Sequence, residues 1–192
     1  METVDRRVHK TKKALKDALL QLMEAQEFKS ITITDIVHLA DLNRGTFYKH
    51  YTYKEDLLDD IVLDVITDLI ESFRAPYRHN AKFFEETLSA SAIKIFDHVE
   101  KHAAFYTMII NSNGLPGFQN RICNVLIDLT MHDIRVDVDD PVIDRQILAS
   151  YTGYSLFGMI VEWVKGGFQH SSSYMAEQLT AILSYQKKSI LI

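Results

Sequence analysis

The sequence predicts an all-α fold, and two observations support this class. The chain of 192 residues contains only seven glycines and three prolines, too few for the frequent turns of an ordinary all-β chain. Apolar residues also recur at intervals of three and four along most of the chain, which is the spacing of one helix face. A chain of this length can bury a sizeable core, either as one large domain or as two small ones.

The N-terminal part of the chain predicts three helices in close succession. The first covers residues 6–25, where a single apolar stripe repeats with helical spacing. Thr32, with Asp35 three residues later, forms a capping-box pattern that begins a short second helix. After a tight turn, Asn43 is a good N-cap for a third helix, whose Phe47 is expected to face the core.

A long fourth helix follows, and a second capping-box pattern formed by Thr52 and Glu55 marks its beginning. Apolar residues keep the helical spacing for about five turns, until Pro76 ends the helix. We place the domain boundary at the start of this helix. The chain is thereby divided into an N-terminal domain of residues 1–54 and a C-terminal domain of residues 55–192.

The remaining sequence predicts five further helices. The segment Asn113-Gly114-Leu115-Pro116-Gly117 is the strongest break between them. Residues 142–164 are apolar on nearly all sides, so we expect them to be buried against more than one surface. The five helices are predicted over residues 82–99, 102–111, 118–134, 142–164 and 173–186.

Charge is divided unevenly between the two predicted domains. The formal net charge is −5, yet residues 1–54 contain ten lysines and arginines against seven acidic residues. A basic run from Arg6 to Lys16, which includes Lys10, contains no acidic residue. Such a run suits contact with a phosphate backbone, although an ordinary solvated helix face explains it equally well.

The third helix and its flanks contain the side chains that point to a function. Hydrogen-bond donors without a single acidic residue extend from Asn43 to Lys54. A helix that enters the major groove needs donors for base edges and phosphates, and a tight turn before it is typical of a helix-turn-helix. Gly45 permits close approach to DNA, and Lys54 begins the next helix, where it can share a phosphate with backbone amides. The alternative is a polar surface helix in an ordinary bundle.

Three motifs within residues 8–60 are similar to those of a known family. They are Phe28-x-x-Ile31-Thr32-Ile33-x-x-Ile36, Ala40-Asp41-Leu42-Asn43-Arg44-Gly45-Thr46-Phe47-Tyr48-x-His50-Tyr51 and Lys54-Glu55-Asp56-Leu57-Leu58. Together they resemble the TetR/AcrR family of bacterial regulators. The resemblance implies an N-terminal three-helix helix-turn-helix DNA-binding domain, joined by a long helix to a helical C-terminal ligand-sensing and dimerisation domain.

The resemblance also implies a mechanism and residue roles. Such proteins are homodimers that bind a palindromic double-stranded DNA operator and leave it when a small-molecule effector occupies the C-terminal domain. Thr32 and Thr34 would then contact phosphate, and base edges would be contacted by Arg44, Thr46 and Lys49. The full set of expected DNA-contacting residues is Lys10, Thr32, Thr34, Asn43, Arg44, Gly45, Thr46, Tyr48, Lys49, His50 and Lys54.

The sequence departs from the family pattern at two positions. Tyr53 stands where the family usually has a small helix-capping residue, so we expect Thr52 to cap the fourth helix instead. Asn43 replaces the commoner serine or threonine, and it caps a helix equally well. Neither departure changes the predicted function.

Residues 151–168 resemble the penultimate helix of one regulator subgroup, in which the last two helices of each subunit form a four-helix dimer interface. Gly153 and Gly158 permit close helix approach, and an all-round apolar helix needs a second surface against which to be buried. A core helix within a single chain is the alternative. The residues expected at the dimer interface are Tyr151, Tyr154, Phe157, Gly158, Val161, Leu179 and Leu183.

Aromatic and methionine side chains of the C-terminal domain are candidates for an apolar effector pocket, although such residues at helical spacing more often form plain core. Glu162 lies within the apolar penultimate helix, where it can face a cationic ligand, the dimer partner or solvent. The candidate pocket residues are Phe84, Phe96, Phe105, Tyr106, Met108, Met131, Met159 and Glu162.

The remaining patterns do not favour a catalytic or metal site. His98 and His102 have the i, i+4 spacing of metal ligands on a helix, but they stand beside Glu100 and Lys101, so a solvated face is the favoured interpretation. No histidine–acid pair is identifiable with the serines at 171–173. We therefore expect no catalytic residue, no metal and no cofactor.

The sequence also bounds where the protein works. Cys123 is the only cysteine, which favours a reducing compartment. We find neither a secretory signal nor an apolar run of the ~20 residues that a membrane span needs, so a cytoplasmic location is expected. Three alternatives stay open: a regulator controlled by a protein partner, an activator, and an all-helical enzyme.

Overall fold

The computed structural model describes residues 2–75, 94–111, 117–133 and 143–189. These residues form helices and turns without any β-strand, which confirms the predicted all-α class. The helices are α1 Glu2–Ala25, a 3-10 turn at Phe28–Ser30, α2 Ile33–Leu39, α3 Arg44–Tyr48, α4 Lys54–Arg74, α5 over residues 94–101, α6 Ala103–Asn111, α7 Phe118–Asp133, α8 Arg145–Lys165 and α9 Ser172–Ser189.

Part of one predicted helix lies outside the residues that the structure describes. Residues 82–93 of the predicted fifth helix, and with them the pocket candidate Phe84, lie outside the described residues. Among the helices that are described, none combines the length and the apolar character needed to cross a bilayer.

The described residues divide into two compact units. Those up to Val65 form unit 1 and those from Ile66 onward form unit 2. The division thus falls within α4, whereas the predicted domain boundary lies at the start of that helix. α4 is continuous across the division because its apolar residues keep one helical spacing throughout.

The core of unit 1 is built from one apolar face of each helix. Leu15 and Leu19 of α1, Ile36 of α2, Phe47 of α3 and Leu57 of α4 have side chains with no exposed surface. Residues four apart lie on the same side of a helix, so Leu15 and Leu19 present a single surface to this core. α2 and α3 are too short to be stable alone, and their burial in this core is what holds them.

A polar network fastens α1 to the first half of α4. The Asp60 carboxylate accepts hydrogen bonds from Tyr51 Oη at 2.6 Å and Lys12 Nζ at 3.2 Å, and Lys16 Nζ lies 3.1 Å from it and 2.6 Å from Asp64. Burial works to raise the pKa of Asp60, but the hydrogen bonds from Tyr51, Lys16 and Lys12 outweigh it and the pKa is lowered. Two lysines of the basic run, Lys12 and Lys16, are therefore paired with acidic residues of α4.

The beginning of α4 differs from the prediction. The Asp56 carboxylate accepts hydrogen bonds from the backbone N–H groups of Thr52 and Tyr53, both at 2.9 Å. Because α4 begins at Lys54, Asp56 is its third residue, the position from which a side chain reaches back to the N-cap. The predicted capping box of Thr52 and Glu55 is therefore wrong, and the acid that acts at this helix start is one residue later.

In unit 2, α8 packs closely on α7. A Cβ atom added to Gly153 would lie 2.6 Å from Ile127 Cγ1 and 3.1 Å from the Ile127 backbone nitrogen. Only glycine permits this approach without a displacement of α7. The close contact that we expected of Gly153 is thus made within the chain.

The end of α8 is fixed by a left-handed turn. Gly167 has φ +69°, and the N–H groups of Gly167 and Phe168 donate to the carbonyls of Val164 and Trp163 at 2.9 and 3.0 Å. This pair of bonds is a Schellman motif, in which a hydrophobic contact usually accompanies the turn. Here the Phe168 ring packs edge-on against Trp163, with centroids 5.0 Å apart.

A second polar cluster lies in unit 2, where it joins α4, α5 and α6. Asp68 Oδ2 lies 2.7 Å from His98 Nδ1 and 2.9 Å from His102 Nε2, and Lys101 Nζ donates to Asp68 Oδ1 at 2.9 Å. His98 Nε2 lies 3.1 Å from the hydroxyl of the fully buried Tyr106. The side chain of His98 has no exposed surface. The prediction that the two histidines lie on a solvated face is therefore wrong for His98. The sequence around His98 does not reveal its burial, because its polar partner Asp68 lies on another helix.

The charge states in this cluster follow from burial. Burial lowers the pKa of His98 to about 4, although the hydrogen bond with Asp68 opposes the shift. Burial also works to raise the pKa of Asp68, but hydrogen bonds from Lys101, His98 and His102 outweigh it, so this pKa is lowered. At neutral pH the cluster therefore pairs an ionised Asp68 with a neutral His98.

We predict that protonation of His98 destabilises the fold in mild acid. An ordinary imidazole has a pKa of 6.5, whereas that of folded His98 is about 4. Below pH 6.5 the unfolded chain therefore binds a proton that the folded chain does not, and the stabilisation present above that pH is lost as the pH falls. One such group contributes at most ~1.4 kcal/mol to the free energy of unfolding per pH unit.

Two measurements check this prediction. Urea titrations between about pH 7 and pH 5 should show a falling free energy of unfolding. Nitrogen-15 NMR of the imidazoles should show His98 still neutral near pH 5.5, in samples that contain a chelator. A His98 ring that is already protonated at this pH would contradict the assignment.

Candidate nucleic-acid interface

The turn between α2 and α3 is set by a left-handed residue. Asp41 has φ 53°, and the N–H groups of Asp41 and Leu42 donate to the carbonyls of His38 and Val37 at 3.2 and 2.8 Å. This is a Schellman motif like that after α8, with aspartate in the left-handed position instead of glycine. Aspartate tolerates this conformation better than most side chains, and the predicted tight turn is confirmed.

The start of α3 is capped as the sequence predicted. Asn43 Oδ1 accepts hydrogen bonds from the Thr46 backbone N–H at 2.8 Å and from the Thr46 hydroxyl at 3.1 Å. A Cβ atom on Gly45 would lie 3.2 Å from the same Oδ1, which is a tight contact. The glycine therefore protects the cap, a role beyond the close approach to DNA expected from the sequence.

One face of α3 is buried and the opposite face presents donors. Phe47 is completely buried, whereas Arg44, Gly45, Tyr48 and Lys49 are all exposed. Residues one, three and four apart fall within less than half of the helix circumference, so these four positions share one side of α3. The exposed side contains two cations and a phenol and no acidic group.

Arg44 and Tyr48 are arranged in advance on this face. The Arg44 guanidinium donates to the Tyr48 hydroxyl at 3.2 Å and lies 5.9 Å from the centre of its ring. The Tyr48 ring in turn packs edge-on against Phe47, with centroids 5.7 Å apart. The arginine is thereby held against a ring that the core positions, which reduces the side-chain entropy lost when it binds a partner.

The flanking site residues differ in how accessible their polar atoms are. Thr32 uses its hydroxyl in the capping box of α2, accepting from Asp35 N–H at 3.2 Å and donating to its carboxylate at 2.7 Å. The hydrogen bonds from Thr32 lower the pKa of Asp35. Thr34 and Lys10 are exposed, and His50 is partly exposed.

Lys54 has a different role from the one that the sequence suggested. Its ammonium donates to three backbone carbonyls, those of Phe28 and Ile31 at 2.7 Å and that of Lys29 at 3.1 Å. It also lies 4.6 Å from the centre of the Phe28 ring. A lysine ammonium has three protons to donate, and all three are used. The expectation that Lys54 grips a phosphate is corrected: it fastens the 3-10 turn to α4.

The expected dimer residues of α8 divide between two sides of the helix. Tyr151 and Tyr154 are more than half exposed, and no heavy atom of the described chain lies within 4 Å of a Cβ added to Gly158. Phe157 and Val161 are partly buried. α8 is thus not buried on all sides within the chain, contrary to its apolar composition. Its exposed stripe contains Ile147, Tyr151, Tyr154, Gly158 and Glu162.

On α9 the residues expected at the dimer interface, Leu179 and Leu183, are not the exposed apolar residues. Leu179 and Leu183 are partly buried and continue the inward side of α9 that begins with Met175 and Ala176. The exposed apolar residues on the other side are Tyr174, Ile182 and Tyr185. Helical spacing alone separates these two sides, but it does not tell which side faces the core.

The effector candidates also divide by burial. Phe96 packs against Trp163 with centroids 5.6 Å apart, and Phe105 contacts Tyr106 at the same distance. Glu162, for which a ligand, the dimer partner and solvent were all possible, has an exposed side chain in the α8 stripe. The fully or nearly fully buried candidates are Phe96, Phe105, Tyr106 and Met108, and the partly buried ones are Met131 and Met159.

Two family profiles match the chain. One, described as "Bacterial regulatory proteins, tetR family", matches residues 15–61 and so covers the last part of α1, all of α2 and α3, and the start of α4. The other is a TetR-type profile described as "Transcriptional regulator C-terminal region", and it matches residues 86–185, a little more than half of the chain.

A curated transcriptional regulator is also similar to this chain in sequence. "HTH-type transcriptional regulator YxbF" of Bacillus subtilis (strain 168) is 24% identical over 190 residues, which make up 98% of this chain and 48% of that protein. The chain therefore spans about half the length of the curated relative that it matches.

Solved structures share the fold. A TetR-family regulator from Syntrophomonas wolfei has a TM-score of 0.74 at 16% identity, over 90% of this chain and 92% of that one. The "Dihydroxyacetone kinase operon activator DhaS" has a TM-score of 0.65 at 19% identity, over 93% and 96%. With both family profiles matched in order along the sequence, the chain belongs to the TetR family of bacterial transcriptional regulators.

Proposed function

We propose that this regulator is a homodimeric repressor, which binds a palindromic operator through α3 and is released by a small-molecule effector bound in unit 2. The observation that carries the DNA-binding part is the exposed side of α3, with Arg44, Gly45, Tyr48 and Lys49 together and no acidic group among them. A major-groove helix needs this combination of donors and close approach.

In this proposal, the exposed side chains of unit 1 contact either base edges or phosphates. Arg44 and Lys49 reach base edges from the exposed side of α3, whereas the Thr46 hydroxyl stays hydrogen-bonded to Asn43 Oδ1 in the helix cap. A good bidentate contact from arginine to a guanine edge is worth about 1–3 kcal/mol of discrimination. Tyr48, Thr34 and Lys10 contact the phosphate backbone, since all three are exposed.

Dimerisation through α8 and α9 is supported by their exposed apolar sides. Tyr151 and Tyr154 of α8 and Tyr185 of α9 each expose more than half of their side chains, and aromatic residues are enriched in protein interfaces. A two-fold dimer places two recognition helices on half-sites about 34–36 Å apart, one helical turn of DNA. The two-fold symmetry of the dimer is the reason that the operator would be palindromic.

Release by an effector requires that the effector bind the low-affinity form of the protein more tightly than the DNA-bound form. The buried aromatic residues of unit 2, such as Phe96 and Phe105, suit an apolar ligand.

Activation in place of repression is the second candidate, and the structural neighbour named as an operon activator favours it. A reporter gene placed behind the selected operator distinguishes the two, because only a repressor lowers its expression.

The experiment that tests the whole proposal is selection of bound fragments from random DNA, followed by footprinting. A palindrome with half-sites one helical turn apart is expected. Recovery of no enriched sequence at low salt would count against DNA recognition by α3, and an enriched site without two-fold symmetry would count against the dimer.

We predict that Arg44→Ala weakens specific binding and relaxes base preference at one position of each half-site. The expected loss is about 1–3 kcal/mol per lost contact, which is roughly a 5- to 150-fold rise in Kd. Binding titrations on the selected operator and on single-base variants measure it. Arg121→Ala, on an exposed position of α7, is the matched control, and an equal loss in that variant would remove the assignment to Arg44.

We predict that Lys54→Met acts on stability, whereas Lys49→Met acts on DNA binding. Loss of the three carbonyl contacts of Lys54 should lower the free energy of unfolding by roughly 1–3 kcal/mol. Loss of the exposed Lys49 should leave stability nearly unchanged and weaken binding to the operator. Urea denaturation and salt-dependent titrations separate the two effects. A Lys54→Met protein of normal stability with a salt slope smaller by about 1 would restore the phosphate contact.

We predict that Tyr154→Asp converts the dimer to a monomer, because it places a charge in an apolar interface. Tyr53→Asp in unit 1 is the matched control, since Tyr53 is 63% exposed and Tyr154 is 59% exposed. Sedimentation equilibrium at micromolar concentration gives the mass of each variant. A Tyr154→Asp protein that remains dimeric would exclude this side of α8 from the interface.

A further inference from the structure

The Asp68, His98 and His102 side chains bring three potential metal ligands to one point of unit 2. Oδ2 of Asp68, a ring nitrogen of His98 and a ring nitrogen of His102 all lie within 4.8 Å of one another. Asp68 comes from α4, His98 from α5 and His102 from the turn after α5, and the two imidazole centroids are 4.7 Å apart. Neither the family profiles nor the proposed repressor function assigns a role to these residues.

From this geometry we propose that Asp68, His98 and His102 form a binding site for one divalent transition-metal ion of the zinc type. Two imidazole nitrogens and a carboxylate oxygen form a known three-ligand set for zinc, with water in the fourth position. Imidazole nitrogen also selects such ions over calcium and magnesium, which prefer oxygen ligands.

The distances are compatible with this proposal. In a tetrahedral site with bonds of about 2.0–2.2 Å, two ligand atoms lie roughly 3.3 Å apart. The present Asp68–His98 and Asp68–His102 separations are 2.7 and 2.9 Å. These two separations have to open by about half an ångström, and the two imidazole nitrogens, which lie within 4.8 Å of each other, have to reach the same spacing. Small side-chain rotations make room for the ion in this way.

The surroundings of His98 supply the support that metal-binding histidines require. A ligating imidazole uses its second nitrogen as a donor to an oxygen, which fixes its orientation. His98 Nε2 faces the buried Tyr106 hydroxyl at 3.1 Å. When Nδ1 binds the ion, the neutral imidazole places its proton on Nε2 and donates to Tyr106, so the ring only changes tautomer and no proton is released.

The ion has a path to the site and a favourable charge there. The Asp68 and His102 side chains are 30% and 23% exposed, whereas His98 is enclosed. Lys101 neutralises Asp68 by a hydrogen bond to Oδ1, the oxygen that the metal does not need, and its side chain is 63% exposed. Lys101 can therefore turn to solvent when the ion takes over the charge of Asp68.

The test is direct metal binding to the full chain, freed of any histidine tag and stripped with a chelator. Calorimetric titration with Zn²⁺, followed by elemental analysis after gel filtration, should give one ion per chain. His102→Gln and Asp68→Asn should each lower the affinity at least ten-fold. His132→Gln is the matched control, because His132 is an exposed histidine of α7 whose Nδ1 contacts a backbone carbonyl, and its affinity should equal that of the unaltered chain.

Two further measurements keep the proposal falsifiable. Tyr106→Phe should weaken Zn²⁺ binding roughly 10- to 100-fold, the effect typical of a lost outer-shell partner. Co²⁺ should give the visible absorption of a four-coordinate site, which Asp68→Asn abolishes, while circular dichroism confirms that each variant folds. Equal Zn²⁺ affinity in the unaltered chain and in folded His102→Gln would overturn the proposal. These readouts do not involve DNA, so they stand or fall apart from the repressor function.

Discussion

The burial of Phe47 is the constraint on which the proposed DNA-binding surface depends. α3 has only five residues, far fewer than an isolated helix needs for stability in water. Its position is therefore set by the fully buried Phe47, by the Asn43 cap at one end and by the turn at Asp41 before it. Because the Phe47 ring also packs against Tyr48, the same anchor orients the side chains that face outward.

Some cations of unit 1 hold helices together and others remain exposed on α3, and the sequence alone does not tell which cation has which role. Lys12 and Lys16 pair with Asp60 on α4, and Lys54 is bound to the carbonyls at and beside the 3-10 turn. These three fasten the helices that surround α3. Arg44 and Lys49 remain on the exposed side of α3. Cations that hold helices together and cations that remain exposed are thus interleaved along the sequence of unit 1.

In unit 2, both α8 and α5 have one side that is buried and another that is exposed. α8 buries Gly153 and Ile160 on one side and exposes Tyr151 and Tyr154 on the other. α5 buries His98, and this burial costs stability unless the imidazole is hydrogen-bonded. Asp68 and Tyr106 supply those bonds, which makes the cluster both a link between helices and a candidate for metal binding.

What the sequence determined by itself was local. The all-α class, the cap at Asn43, the tight turn at 41–42 and the donor-rich third helix follow from residues within one helical turn of each other, where spacing and capping chemistry are decisive. Tertiary structure decided the partners of Lys54, which lie 23 to 26 residues away along the chain, and the pairing of His98 with Asp68, 30 residues away. It also decided that Glu162 faces outward and that Leu179 faces inward. Helical periodicity defines the sides of a helix, but only packing against distant residues determines which side is buried.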